Sequence, residues 1–190
     1  MKNNKPHFVL VHGAWHGGWV WTEVAQSLIY QGYSVTCPTQ TGLGERKHLL
    51  SSNITLDTFI EDIVNHIIFN NLDNVILVGH SFAGSTISGV ADILKDRINR
   101  LIYFDAVILS DGQSPFDIAP PEVVKERIAL AEKSEGKLSV PAPTPEAFGV
   151  FDIRKSIMLN KQLTPHPIST FQSKLKLKNE IGNGLPLSYI

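Results

Sequence analysis

Along the first half of the chain, short apolar runs alternate with stretches whose apolar residues recur at helical spacing. This alternation restricts the possible folds more than any other feature of the sequence. The predicted strands are 7–12, 33–37, 74–78 and 101–104, and the predicted helices between them are about 21–31, 56–69 and 84–95. A strand–helix–strand order places consecutive strands parallel, with the connecting helices against the sheet. The sequence therefore predicts an α/β fold, a doubly wound and mostly parallel sheet covered on both faces.

The alternation stops after about residue 110. The segment 110–182 holds most of the prolines, and its one convincing helix is 121–133, with Pro121 suited to a first helical turn. The last residues, 185–190, resemble the beginning of a fifth strand. We predict one domain over 1–190, with a core at about 6–109 and 183–190 and an excursion above the sheet at about 110–182.

Composition narrows the function classes. The chain has 190 residues, with 17 Lys and Arg against 18 Asp and Glu and a formal charge of −1. Binding to nucleic acid or to a membrane surface relies on basic excess, so we expect neither partner. Residues 1–6 do not resemble a signal peptide, and no run approaches the roughly 18 apolar residues of a membrane span. The single cysteine, Cys37, fits a reducing compartment. We expect a cytoplasmic protein.

The stretch 75–84, VILVGHSFAG, carries the strongest chemical signal. A strand leads Ser81 into a tight turn, and a helix begins directly behind it. This geometry exposes the hydroxyl at the carboxyl end of the sheet and directs the positive end of the helix toward it. The pattern approaches G-x-S-x-G, with Ala83 in place of the last glycine. The alternative is that Ser81 only caps the helix, as serine often does.

The glycine-rich stretch 12–19, HGAWHGGW, follows the first strand and opens on the same crevice. Its backbone can present N–H groups to an oxyanion, and the natural pair is the N–H of Ala14 and that of Phe82, the residue after Ser81. His12 and Trp15 are predicted to border the pocket. We expect no cofactor and no metal, because no cysteine or carboxylate with ligand spacing accompanies the histidines.

At this point the sequence resembles the α/β-hydrolases, in particular the branch of plant methylesterases, hydroxynitrile lyases and bacterial EstC-like esterases. The stretches that carry the resemblance are FVLVHGAWHGGWVW (8–21), GHSFAG (79–84), YFDAVILSDGQS (103–114), LTPHPISTFQ (163–172) and LPLSYI (185–190). The resemblance implies hydrolysis of a small carboxylic ester through a Ser81 acyl-enzyme, with Ala14 and Phe82 as the oxyanion hole. It implies a helical cap in the excursion.

The end of the sequence departs from the family pattern. Family members place the catalytic acid and histidine beyond the strand that begins here at Leu185, so we expect the last strand or strands and both partners to be missing from this chain. Asp105 is the candidate acid among the residues present, although a turn role suits it better. His166 lies in the cap and is a weak candidate for the base. We therefore expect impaired turnover and association through an exposed sheet edge.

Two other functions remain open. The chain could bind a small ligand on a hydrolase scaffold without reacting with it. It could also be a lyase of the hydroxynitrile type, but those lyases carry threonine where this chain has Gly13. The glycine favours ester hydrolysis.

Overall fold

The computed structural model describes residues 5–190. Part of segment 1–6, in which we expect no signal peptide, lies outside the described residues. In chain order the elements are β1 His7–Val11, α1 Thr22–Tyr30, β2 Ser34–Thr36, α2 Leu56–Phe69, β3 Val75–His80, α3 Ala83–Leu94, β4 Ile98–Phe104, α4 Pro115–Ile118, α5 Pro121–Glu132, β5 Ser139–Val140, α6 Ile153–Gln162, β6 His166–Pro167, α7 Ile168–Gln172 and β7 Leu187–Tyr189.

Five strands form a parallel sheet in the order β2-β1-β3-β4-β7. The register pairs Val11 at the end of β1 with Gly79 near the end of β3. Since both strands run the same way, the loop after β1 and the turn after β3 emerge side by side at one edge. The predicted α/β architecture with a mostly parallel sheet is confirmed.

Helices cover both faces of this sheet. On one face α2 buries Phe59, Ile60, Ile63 and Ile67, a helical spacing that lets it pack against α3 and the strands. On the other face Trp21 and the inner side of α1 pack against Leu10 and Val78. The sheet is therefore doubly wound, as the sequence predicts.

The segment between β4 and β7 contains more regular structure than the sequence suggests. The predicted helix at 121–133 is α5, but α4, α6 and α7 are also helical, and β5 pairs antiparallel with β6. This cap is tied to the sheet, since the Thr164 N–H donates to the Trp15 carbonyl (3.0 Å). One cluster of buried side chains continues from the sheet into the cap, which is consistent with the predicted single domain.

Two smaller expectations need adjusting. The fourth strand begins at Ile98 rather than at Leu101, and the second is limited to Ser34–Thr36. None of the helices within residues 5–190 combines the length and apolar character needed to cross a membrane.

Candidate active site

Ser81 occupies a strained turn between β3 and α3. Its φ is 53°, in the left-handed region that side chains other than glycine rarely adopt. Three backbone hydrogen bonds hold it there: its N–H donates to the Phe104 carbonyl (3.2 Å), and its carbonyl accepts from Gly84 (3.1 Å) and Val107 (2.9 Å). The turn places a half-buried serine at the N-terminal end of α3, where the helix dipole favours negative charge.

Small residues allow this turn to close. A Cβ added at Gly79 would lie 2.8 Å from the Ala83 carbonyl oxygen, and one added at Gly84 would overlap the Val107 carbonyl oxygen. Both contacts are with backbone, which cannot rotate away. The glycines around Ser81 therefore have a steric reason.

The loop after β1 is fixed by hydrogen bonds to nearly all of its carbonyls. The His12 ring donates from Nδ1 to the Gly13 carbonyl (2.9 Å), and the His16 ring bonds the Ala14 carbonyl (2.7 Å). The Trp15 N–H donates to Nδ1 of His166 (3.3 Å). These contacts hold the loop rigidly beside Ser81.

Two N–H groups in this region remain without an acceptor. Within the described part of the chain, neither the N–H of Ala14 nor that of Phe82 forms a hydrogen bond to another residue. Buried N–H groups are nearly always paired, so two free donors flanking one hydroxyl are notable. Both residues are buried and border the same cavity as Ser81.

That cavity has a volume of about 260 Å³. Most of its lining is apolar, and Ser81 and Arg127 contribute the polar side chains. The lining residues are Ala14, Trp15, Ser81, Phe82, Val107, Pro115, Ile118, Ala119, Pro120, Val123, Arg127 and Phe171. Trp15 thus lies where the sequence analysis expects it, with its indole N–H donating to the Val140 carbonyl (3.1 Å).

His12 lies elsewhere than expected. It is fully buried beneath the loop and does not line the cavity. Its Nε2 accepts the Gln40 N–H (3.0 Å), so the proton resides on Nδ1. Burial lowers the pKa of His12 to about 4. The expected pocket role is therefore corrected: His12 is a neutral support of the loop.

Asp105 and His166 do not form a triad with Ser81. The Asp105 carboxyl is exposed at a left-handed turn (φ 41°) after β4, and its N–H donates to the Ile190 carbonyl (2.8 Å). His166 is fully buried, and its Nε2–H donates to the Thr170 hydroxyl (2.8 Å). Burial lowers the pKa of His166 well below its ordinary value.

No histidine ring within residues 5–190 hydrogen-bonds the Ser81 hydroxyl. Ring nitrogens of His7, His12, His16, His66 and His166 are bonded to other groups, and the rings of His48 and His80 form no hydrogen bond within the described residues. The described residues thus bring together a serine and two oxyanion donors, without a general base at the hydroxyl.

Arg127 and Phe171 are the cavity residues that the sequence analysis overlooked. Arg127 follows Val123 by one helical turn on α5, and both line the cavity. A charged residue on an otherwise apolar helix face was the available signal. Phe171 lies on α7, a helix that the analysis did not predict.

A serine at a sharp strand–helix turn above a parallel sheet, with free N–H groups beside it, defines the class of serine hydrolases. Comparison with known proteins agrees with that class. A model of the alpha/beta hydrolase family matches residues 8–167, and the chain belongs to this family.

Named relatives narrow the class to esterases. The "Carbendazim hydrolyzing esterase" of Nocardioides sp. (strain SG-4G) is 40% identical over 179 residues, which cover 90% of this chain and 73% of that protein. The "Putative methylesterase 14, chloroplastic" of Arabidopsis thaliana is 34% identical over 119 residues. These residues cover 61% of this chain but only 34% of the plant protein. This chain thus spans about a third of that plant relative.

A solved structure supports the same assignment. It is an extracellular alpha/beta-hydrolase from a Paenibacillus species, described as sharing structural and functional homology with tobacco salicylic acid binding protein 2. Its TM-score is 0.85 at 33% identity, over 97% of this chain and 76% of that one. The predicted resemblance is confirmed, and the chain is carboxylesterase-like.

Proposed function

We propose that this chain carries the nucleophile and the oxyanion hole of a serine esterase that acts on small carboxylic esters. The observation that supports it most is the strained Ser81 turn facing the unpaired N–H groups of Ala14 and Phe82 in one cavity. The esterase and methylesterase names of the relatives agree with this reaction.

The reaction would proceed in two steps. The Ser81 oxygen attacks the ester carbonyl and loses its proton to a base, while the carbonyl oxygen becomes an oxyanion. The N–H groups of Ala14 and Phe82 donate to that oxyanion, and loss of one such donor typically lowers the rate a hundredfold or more. The alcohol leaves with a proton, and water then hydrolyses the acyl-serine.

The base is not assigned to residues 5–190. An unassisted serine hydroxyl is a poor nucleophile, and an oxyanion hole with binding alone leaves roughly 10³- to 10⁴-fold catalysis over water. Asp105 and His166 stay unassigned as acid and base, because neither is bonded to the Ser81 hydroxyl or to the other.

Gly13 supports hydrolysis over cyanide elimination. A Cβ at this position would lie 3.0 Å from the Ser81 Cβ and 3.1 Å from Nδ1 of His80. A threonine, the residue of the hydroxynitrile lyases, would therefore crowd the side chains of Ser81 and His80. The cavity therefore gives no support to the alternative function of a hydroxynitrile lyase.

The test is ester hydrolysis by the 190-residue chain with and without added imidazole. With p-nitrophenyl acetate we expect a slow Ser81-dependent rate that imidazole raises, because it supplies the missing base. Ser81→Ala at each imidazole concentration gives the rate to subtract, since imidazole itself attacks this ester. Exposed Ser110→Ala is the matched control and should keep the wild-type rate.

Equal rates for the wild type and Ser81→Ala at every imidazole concentration would overturn the proposal. Fast Ser81-dependent turnover without imidazole would place a base within the chain and contradict the impaired turnover expected here.

Location and assembly are further parts of the proposal. A cytoplasmic location is supported by the single free cysteine, Cys37, although the Paenibacillus relative is described as extracellular. Association through β7 is supported by the position of this strand at the end of the sheet, with Leu187 and Tyr189 exposed. Cell fractionation and light scattering are the corresponding measurements.

A further inference from the structure

Arg127 places a cation inside the cavity that holds Ser81. It projects from α5 against two neighbouring aromatic rings, with its guanidinium carbon 4.5 Å from the ring centre of Phe171 and 5.5 Å from that of Trp15, and the two ring centres lie 6.1 Å apart. The side chain is half-buried. The remaining lining beside it, such as Val123 and Ile118, is apolar.

The guanidinium has no acceptor within the described residues. Four ion pairs are found in residues 5–190, and Arg127 belongs to none of them. Its neighbour Glu126 is exposed and does not pair with it. The side chain carries five N–H donors in a planar fork and remains charged in proteins. A half-buried cation whose donors have no acceptor in the protein leaves them to water or to a bound ligand.

A ligand in the cavity is the group placed to do so. A carboxylate matches the fork of arginine with two parallel charge-assisted hydrogen bonds, and a water-poor apolar surrounding strengthens them. Cation–π contact with the adjacent rings of Trp15 and Phe171 restricts the guanidinium, so less side-chain freedom is lost on binding. Because Ser81 borders the same cavity, one small molecule can meet both groups.

We infer that Arg127 is a specificity residue that selects esters carrying a second, free carboxylate, namely monoesters of small dicarboxylic acids. The inference rests on the proposed function, since the ester group of such a substrate is the part offered to Ser81. The neutral diester of the same acid lacks the charge and is the matched competitor.

The decisive experiment measures binding in the Ser81→Ala protein, so that no turnover is needed. Calorimetric titrations compare the monomethyl esters of malonate, succinate, glutarate and adipate with the corresponding dimethyl esters. We expect one chain length to bind best, because Ser81 and Arg127 line one cavity of limited volume. The preferred monoester should bind at least tenfold more tightly than its dimethyl ester.

Arg127→Met keeps a long side chain against the two rings but removes the charge and the donors. It should weaken binding of the monoester by roughly ten- to a hundredfold and leave the dimethyl ester unchanged. Arg127→Lys should recover part of the loss, since lysine keeps the charge without the fork. Lys125→Gln, which removes a cation from the exposed side of α5, should change neither affinity.

Equal weakening of monoester and diester by Arg127→Met would show a packing role and overturn the inference. So would an unchanged monoester affinity. If carboxylate-selective binding is found but Ser81 supports no hydrolysis, the inference stands while the proposed function fails.

Discussion

At the scale of single residues, the site depends on a backbone conformation that its key residue does not favour. Ser81 has a φ of 53°, and the left-handed region costs residues with a Cβ roughly 1–2 kcal/mol. The hydrogen bonds to Phe104, Gly84 and Val107 hold it there. Strain of this kind persists at functional sites because the surrounding structure imposes it.

The backbone strain at Ser81 predicts that two inactive variants differ in their free energy of unfolding. Ser81→Ala and Ser81→Gly both remove the hydroxyl, but only glycine adopts a positive φ without penalty. We expect Ser81→Gly to be more stable than Ser81→Ala by about 1 kcal/mol in urea unfolding. Ser110, an exposed serine without a positive φ, serves as the control position: Ser110→Gly should be no more stable than Ser110→Ala. Equal stability of the two Ser81 variants would show that the turn is relaxed.

The sequence predicts only part of this residue-level detail. Ser81, Ala14 and Phe82 are recognisable because strand context and small neighbours are local signals. The bond from the Trp15 N–H to His166 joins positions 151 apart, and no local pattern indicates it. The role of Arg127 is not predictable from the sequence for the same reason, since the aromatic rings that it contacts belong to a different loop and a different helix.

At the scale of elements, the packing of α3 decides whether the turn survives. Gly84 faces the backbone after β4, whereas Gly89, farther along the same helix, faces the side chain of Ile60 on α2. A backbone oxygen cannot move aside, whereas the Cδ1 methyl of Ile60, the atom nearest to the added Cβ, can turn about χ2. The two glycines therefore look alike in the sequence but differ in how well they tolerate replacement by alanine.

We expect Gly84→Ala to cost about 3 kcal/mol of unfolding free energy, in the upper range for overpacking. Gly89→Ala should cost about 1 kcal/mol or less, because alanine favours helix and offsets part of the crowding. Urea denaturation of both variants gives the comparison. A cost for Gly84→Ala no greater than for Gly89→Ala would contradict the assigned backbone contact.

Elements of the sheet are predictable because their apolar runs are buried against helices. The cap is less so. The helix α6 buries only Leu159, while Ile153 and Ile157 remain exposed, so its apolar residues do not mark one inner face. Without that periodicity, and with prolines on both sides, the sequence gives no reason to separate α6 from a loop.

At the scale of the whole molecule, sheet and cap share one interior that contains buried histidines. His12 lies beneath the loop after β1, and His166 lies where the cap meets the core; neither is exposed. Both are held neutral by burial, which lowers their pKa values. Since the folded state favours their neutral forms, acid should lower the stability of the fold as a whole.

The sign of this effect follows from proton binding. In the unfolded chain His12 titrates near 6.5, whereas in the folded protein its pKa is about 4. Between these values the unfolded state binds more protons, so stability falls as the pH falls. His12 alone should remove about 3 kcal/mol between pH 7 and pH 4, at 1.36 kcal/mol per pKa unit. His166 adds to the loss in the same direction.

Urea unfolding of the wild type, His12→Gln and His48→Gln between pH 7 and pH 4 tests this prediction. Glutamine keeps a polar group near Gln40 but does not titrate, so His12→Gln should be less stable at pH 7 yet lose about 3 kcal/mol less on acidification. His48 is exposed on the loop after β2, and its replacement should leave the wild-type pH dependence intact. If His12→Gln instead loses as much stability on acidification as the wild type, the acid sensitivity arises from other groups. Protonation of His12, beneath the loop that carries the Ala14 N–H, would then not be what destabilises the fold.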